Sequence, residues 1–243
     1  MLHMQCHFLT KGSGVPVVLL HGFLGSSQDW RKITAHLTEK SCLAYDLPGH
    51  GSMPWVDIDI DDLLSFALPP EPIDLVGYSL GGRLALRYAL KNPSRINSLT
   101  LLSAHYGIEN EEERQMRLHS DRYWAQKILT IPFEQFLQEW YHQPVFSSLH
   151  KNPAMRDEIL AMRSHKKPKD LTRALMDWSL GRQSCYRKQL QEFQRPWRIA
   201  YGEHDERFAN LYKDWPNTHC VKGVGHCLHL EAPEEIAKLI LTL

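Results

Sequence analysis

The spacing of apolar residues changes character along the chain. In the early part, short β-branched and aliphatic runs alternate with helical patterns. Val15–Leu20, Ser41–Tyr45, Ile73–Tyr78 and Asn97–Ser103 read as strands, and Leu80–Leu90 reads as a helix. Near the end, Trp197–Tyr201 and Thr218–Val221 return as strands before a helix from Pro233 to Leu243. Between Gly107 and Gln194 no strand-like run occurs. There apolar residues recur at three- and four-residue steps, as in Phe133, Phe136, Leu137 and Trp140. Pro132, Pro144, Pro153 and Pro168 each predict a boundary close to a helix start, where the missing N–H and the fixed φ do no harm. The pattern predicts an α/β fold with a mostly parallel central sheet flanked by helices. It also predicts an inserted helical lid of four or five short helices. The expected division is 1–106 for the first part of the core, 107–194 for the lid and 195–243 for the rest of the core.

Composition narrows the function classes. The 243 residues are 43% hydrophobic and 23% charged, enough for one sizeable core. Lys plus Arg and Asp plus Glu both number 28, so the net charge is zero, which argues against a nucleic-acid or anionic-membrane binder. No apolar run nears the roughly 18 residues of a membrane span. Met1 to Gly14 has no apolar signal-peptide core, so a cytoplasmic chain is expected. The five cysteines form no CxxC pair and read as reduced residues. The histidines are scattered without HExxH spacing, so no zinc site is expected.

Chemistry concentrates at Gly77-Tyr78-Ser79-Leu80-Gly81, which fits G-x-S-x-G between a strand and a helix. That context holds a serine on a sharp turn with its hydroxyl exposed above the sheet. A serine hydroxyl is a weak nucleophile until a histidine takes its proton and a carboxylate fixes the histidine tautomer. Asp205, in Gly202-Glu203-His204-Asp205 after one late strand, is the natural acid. His226, after the next strand, is the natural base. Glu203 and Glu206 are fallback acids, and His204, His219 and His229 fallback bases. The loop His21-Gly22-Phe23 follows an early strand, so the backbone N–H groups of Phe23 and Leu80 can form an oxyanion hole. His21 itself reads as a structural histidine bonded to backbone. Arg83 lies one helical turn after Ser79 and can reach back over it. Its partner is either a ligand carboxylate or phosphate, or a protein Asp or Glu.

Taken with Asp46-Leu47-Pro48-Gly49-His50-Gly51, these motifs resemble the α/β-hydrolase superfamily over essentially the whole chain. Further segments resemble one branch of it, the 2-succinyl-6-hydroxy-2,4-cyclohexadiene-1-carboxylate synthases of menaquinone biosynthesis. They are the elbow through Arg83, Ser120-Asp121-Arg122, Trp140-Tyr141 with Gln143-Pro144-Val145-Phe146, and Leu160-Ala161-Met162-Arg163-Ser164. Ser52–Pro72 is short for the superfamily's helix before the elbow strand, and His165-Lys166-Lys167 follows the branch pattern less closely.

The resemblance implies a lyase that expels pyruvate from a small anionic cyclohexene carboxylate, without metal or organic cofactor. It assigns Arg83, Arg122 and Arg163 to the substrate carboxylates, and Tyr78, Trp140 and Tyr141 to the pocket lining. A serine hydrolase on the same fold, whether carboxylesterase, thioesterase or C–C bond hydrolase, uses the same triad and stays open from the residues alone. A binding protein on an inactive hydrolase fold is the third reading, set back by the presence of all three triad residues.

Overall fold

The computed structural model describes residues 4–163 and 167–243. Ser164, His165 and Lys166 lie outside them, as do Met1, Leu2 and His3. Seven strands form one sheet: β1 (Cys6–Thr10), β2 (Val17–Leu20), β3 (Cys42–Tyr45), β4 (Ile73–Tyr78), β5 (Ile96–Leu102), β6 (Trp197–Gly202) and β7 (Thr218–Val221), in the order β1-β3-β2-β4-β5-β6-β7. Only β1 runs antiparallel, against β3; all other pairings are parallel. A parallel sheet covered on both faces calls for near-continuous apolar strands, and β2, β3 and β4 are buried at every position. Side chains alternate between two cores. Val17 and Leu19 pack on one face of the sheet, and Val18 and Leu20 on the other.

The helices are α1 (Arg31–Thr34), α2 (Ile60–Ala67), α3 (Leu80–Lys91), α4 (Glu111–Thr130), α5 (Phe133–Tyr141), α6 (Ser147–His150), α7 (Pro153–Met162), α8 (Pro168–Asp177), α9 (Arg187–Gln191), α10 (Glu206–Tyr212), α11 (Leu228–Glu231) and α12 (Pro233–Leu241). The segment between β5 and β6 is all helical among the described residues, as expected. Its described residues hold six α-helices where four or five are expected, and α4 runs for 20 residues. Each of the four prolines marks an element start: Pro132 is the N-cap of α5, Pro144 opens a short 3-10 turn, and Pro153 and Pro168 open α7 and α8.

Several elements go beyond the sequence expectation, β1, α1, α2, α10 and α11 among them. β1 is a half-buried edge strand with Phe8 68% exposed, so its pattern carries no buried run. In the short stretch 52–72, Asp59 accepts a hydrogen bond from Asp61 N–H and starts the eight-residue α2. The chain steps from β2 outward to β3 and then back across to β4, so strand order reverses between β2 and β4. In open α/β sheets ligands bind beyond the strand ends at such a switch point. The loops carrying Phe23 and Ser79 leave the sheet there.

Candidate active site

Ser79 sits between β4 and α3 at φ 49°, ψ −109°, a conformation L-residues rarely hold. Its N–H donates to Leu102 O at 2.9 Å, and its carbonyl accepts from Arg83 N–H at 3.0 Å, pinning the turn on both sides. The turn works only with glycine beside it: a Cβ on Gly81 would lie 2.3 Å from the carbonyl oxygens of Leu20 and His21. Leu80 is the first residue of α3, so its N–H has no partner within the helix and points with the positive end of the helix dipole. Phe23 lines the same cavity as Ser79.

The structure brings Ser79, His226 and Asp205 together from three strand ends. His226 Nε2 lies 3.3 Å from Ser79 Oγ, and His226 Nδ1 lies 2.6 Å from Asp205 Oδ2. With Nδ1–H donating to the carboxylate, Nε2 is left to accept the serine proton. Asp205 and His226 are buried, and the His226 ring stands against Tyr78, Phe146 and Phe208. Glu231 holds the histidine loop by accepting from Gly225 N–H at 3.1 Å. The fallback groups are occupied or elsewhere. Glu203 pairs with Lys222, His219 pairs with Glu235, and His229 is buried against the Tyr78 ring. His21 accepts from Leu47 N–H through Nε2 and contacts Gly22 O through Nδ1, a backbone-bonding role that secures the Phe23 loop.

A cavity of about 200 Å³ lies over Ser79 and His226, walled by Trp140, Trp124, Phe146 and Phe208. Three arginines line it: Arg83, Arg117 and Arg207. Arg83 donates to Gln183 Oε1 (2.9 Å) and Trp178 O (2.7 Å), two neutral acceptors. Among the described residues no carboxylate lies within ion-pair distance of Arg83 or Arg207. Burial, and secondarily Arg117, push the Arg83 pKa down to about 9. Arg117 binds both oxygens of buried Asp121, at 2.9 and 3.0 Å. His105 also lines the cavity. Its Nδ1 accepts from Gly107 N–H, and burial together with Arg207, Arg83 and Arg117 pushes its pKa down to about 3, so it is neutral.

Several expected pocket residues lie elsewhere. Arg122 is exposed on α4 and does not line the cavity. The inward face of α4 carries Asp121, Ala125 and Ile128, and Arg117 lies four residues before Asp121 on that face, whereas Arg122 is turned about 100° away. Arg163 is 3% exposed and fully engaged: Nη1 meets Asp29 Oδ1 at 2.6 Å and Nε donates to Tyr141 OH at 2.9 Å. Burial alone would raise the Asp29 carboxyl; Arg163 and His229 overcome it and hold the pKa well below the usual range. Tyr141 therefore anchors Arg163 instead of facing the cavity. Tyr78 lies behind His226, its OH 3.5 Å from Cys227 Sγ. Trp140 does line the cavity, 5.0 Å from the Phe23 ring. Arg117, Arg207 and His105 were not singled out from sequence. Only Arg117 left a signal, its four-residue spacing from Asp121.

A family model described as alpha/beta hydrolase fold matches residues 15–233. The 2-succinyl-6-hydroxy-2,4-cyclohexadiene-1-carboxylate synthase of Enterobacter sp. (strain 638) is 34% identical over 229 residues, covering 91% of this chain and 88% of that one. The chain belongs to this synthase family of α/β-hydrolases. A protein of Haemophilus influenzae described as a putative synthase of the same name is 32% identical, covering 93% of this chain and 96% of its own. Among solved structures, MenH from S. aureus superposes with a TM-score of 0.87 at 28% identity, covering 100% of this chain and 97% of that one. A thermophilic esterase from Thermogutta terrifontis reaches 0.79 at 19% identity, over 98% of this chain and 92% of its own, a likeness of fold alone. Among the described residues, no group of three or more His, Cys, Asp or Glu is arranged to hold a metal ion, and no helix is long and apolar enough to cross a membrane.

Proposed function

We propose that the chain converts 2-succinyl-5-enolpyruvyl-6-hydroxy-3-cyclohexene-1-carboxylate to pyruvate and 2-succinyl-6-hydroxy-2,4-cyclohexadiene-1-carboxylate, the product that its relatives' names give. The observation that carries the reading is the pairing of a serine-histidine relay with a cavity whose walls hold three arginines. A trianionic substrate needs cations that neutral ester substrates do not.

In this reading the Ser79–His226–Asp205 unit acts as general base. It removes the ring proton at C2, next to the succinyl carbonyl, and the proton comes to rest on His226 Nε2. Charge builds on the succinyl oxygen, where the N–H groups of Phe23 and Leu80 receive it. The electron pair then moves through the ring double bond and breaks the C5–O bond. The enolpyruvate that leaves takes up a proton at its methylene carbon and becomes pyruvate, and His226 gives up the proton it gained, so the step is proton-neutral overall. No water is consumed, and no acyl-enzyme forms.

The test follows pyruvate from the enolpyruvyl substrate with wild-type protein and Ser79→Ala. The wild type is expected to release it and the variant to lose at least roughly a hundredfold, the usual weight of a positioned base. Near-full release by Ser79→Ala would refute the role of the serine.

A further inference from the structure

A second cavity, of about 550 Å³, opens beside the catalytic one between the Gln143–Ser147 segment and the His204–Arg207 segment. The two cavities share Gln143, Val145 and Arg207. We propose that Arg207 grips the enolpyruvyl carboxylate at this junction, so that pyruvate leaves through the outer cavity. The assignment rests on the synthase reading above and adds a specificity-determining residue and an exit path to it.

The other two cavity arginines each spend part of their guanidinium on protein partners. Arg117 is held by Asp121, and Arg83 by Gln183 and Trp178. Arg207 has Asp205 two residues before it and Glu206 one before it, yet Asp205 is bound to His226, and neither carboxylate lies within ion-pair distance of the Arg207 guanidinium. Arg207 is one of three residues that line both spaces. A guanidinium binds a carboxylate through two parallel N–H donors, so a free one at a cavity mouth selects for that group.

The chemistry of the ring says which carboxylate arrives there. The oxyanion N–H groups draw the succinyl carbonyl, and with it C2, toward Ser79. The enolpyruvyl oxygen is on C5, directly across the ring from C2. Its carboxylate is therefore directed away from Ser79, toward the mouth.

The experiment compares wild type, Arg207→Gln, Arg207→Lys and Arg207→Glu in steady-state pyruvate release, with added pyruvate or added ring product as inhibitors. Loss of an ion-paired carboxylate contact is expected to raise KM and the pyruvate inhibition constant each by roughly tenfold or more in Arg207→Gln, with a smaller fall in kcat. Arg207→Lys should recover part of that loss, Arg207→Glu should deepen it, and inhibition by the ring product should stay unchanged. Unaltered pyruvate inhibition in Arg207→Gln, or weakened ring-product inhibition in its place, would overturn the assignment alone. A wild-type protein that releases no pyruvate would overturn the synthase reading and this assignment with it.

Discussion

Replacing Asp29 by Asn tests whether Arg163 is a structural latch or a substrate ligand. The Asp29–Arg163 pair joins the loop after β2 to the end of α7, and its two side chains are 1% and 3% exposed. At 2.6 Å the attraction is about 6 kcal/mol at an effective dielectric near 20. Desolvation of both ions offsets much of that. Breaking such a pair still costs about 3–5 kcal/mol, because a buried charge is left alone. Asp29→Asn should therefore lower the unfolding free energy by about 3–5 kcal/mol and Tm by roughly 6–20 °C for a chain of this size. The same loss is expected for Arg163→Met, and the double variant Asp29→Leu/Arg163→Met should recover most of it, since an apolar pair removes both charges. Urea unfolding of the wild type and the three variants measures each of these differences. The reasoning fails if Asp29→Asn costs under about 1 kcal/mol while Arg163→Met raises KM tenfold or more, for then the guanidinium serves the substrate.

Three further outcomes follow. Arg117→Gln should raise KM for the enolpyruvyl substrate by roughly tenfold or more, while Arg122→Gln leaves it within about twofold; the reverse order would contradict the orientation of α4. Acid should destabilise the fold early. His105 is neutral when buried, with a pKa near 3, but takes a proton when unfolded, so the unfolded state binds more protons below about pH 6.5 and stability falls, by about 1.4 kcal/mol at pH 5.5 from this group. Burial lowers the pKa of His21 and His229 too, which adds in the same direction, and Asp29 contributes a further loss only below the usual carboxylate range. Thermal unfolding at pH 7.5 and 5.5 measures this, and a flat profile would refute it. Gly81→Ala should abolish soluble folded protein or activity, because its Cβ has two carbonyl oxygens at 2.3 Å; a variant with wild-type melting and turnover would show that the elbow can open.

The parts of the site legible in the sequence are those written in short-range pattern. The strand before Ser79 is a continuous buried run and the turn needs its glycines, so the elbow, the acid loop and the base loop could all be placed from residue order. The arginines could not be sorted that way. Arg117 and Arg122 share one helix, and only the burial of Asp121, Ala125 and Ile128 says which of them faces inward. Arg163 finds its partner 134 residues away, a contact no local spacing encodes. Tyr78 shows the limit of carrying a role over by position: the residue before the nucleophile points under His226, toward Cys227 and His229. The edge strand β1 was missed because half its surface meets solvent and its apolar signal is diluted.

The proposed chemistry breaks C–H and C–O bonds and adds no water, and the mass of the ring product reports that directly. Incubated with the enolpyruvyl substrate in 18O-labelled water, the wild-type protein should yield a ring product that has lost the elements of pyruvic acid and carries no label. A ring product that has gained labelled oxygen, or a substrate cleaved at its succinyl carbonyl, would make the protein a hydrolase.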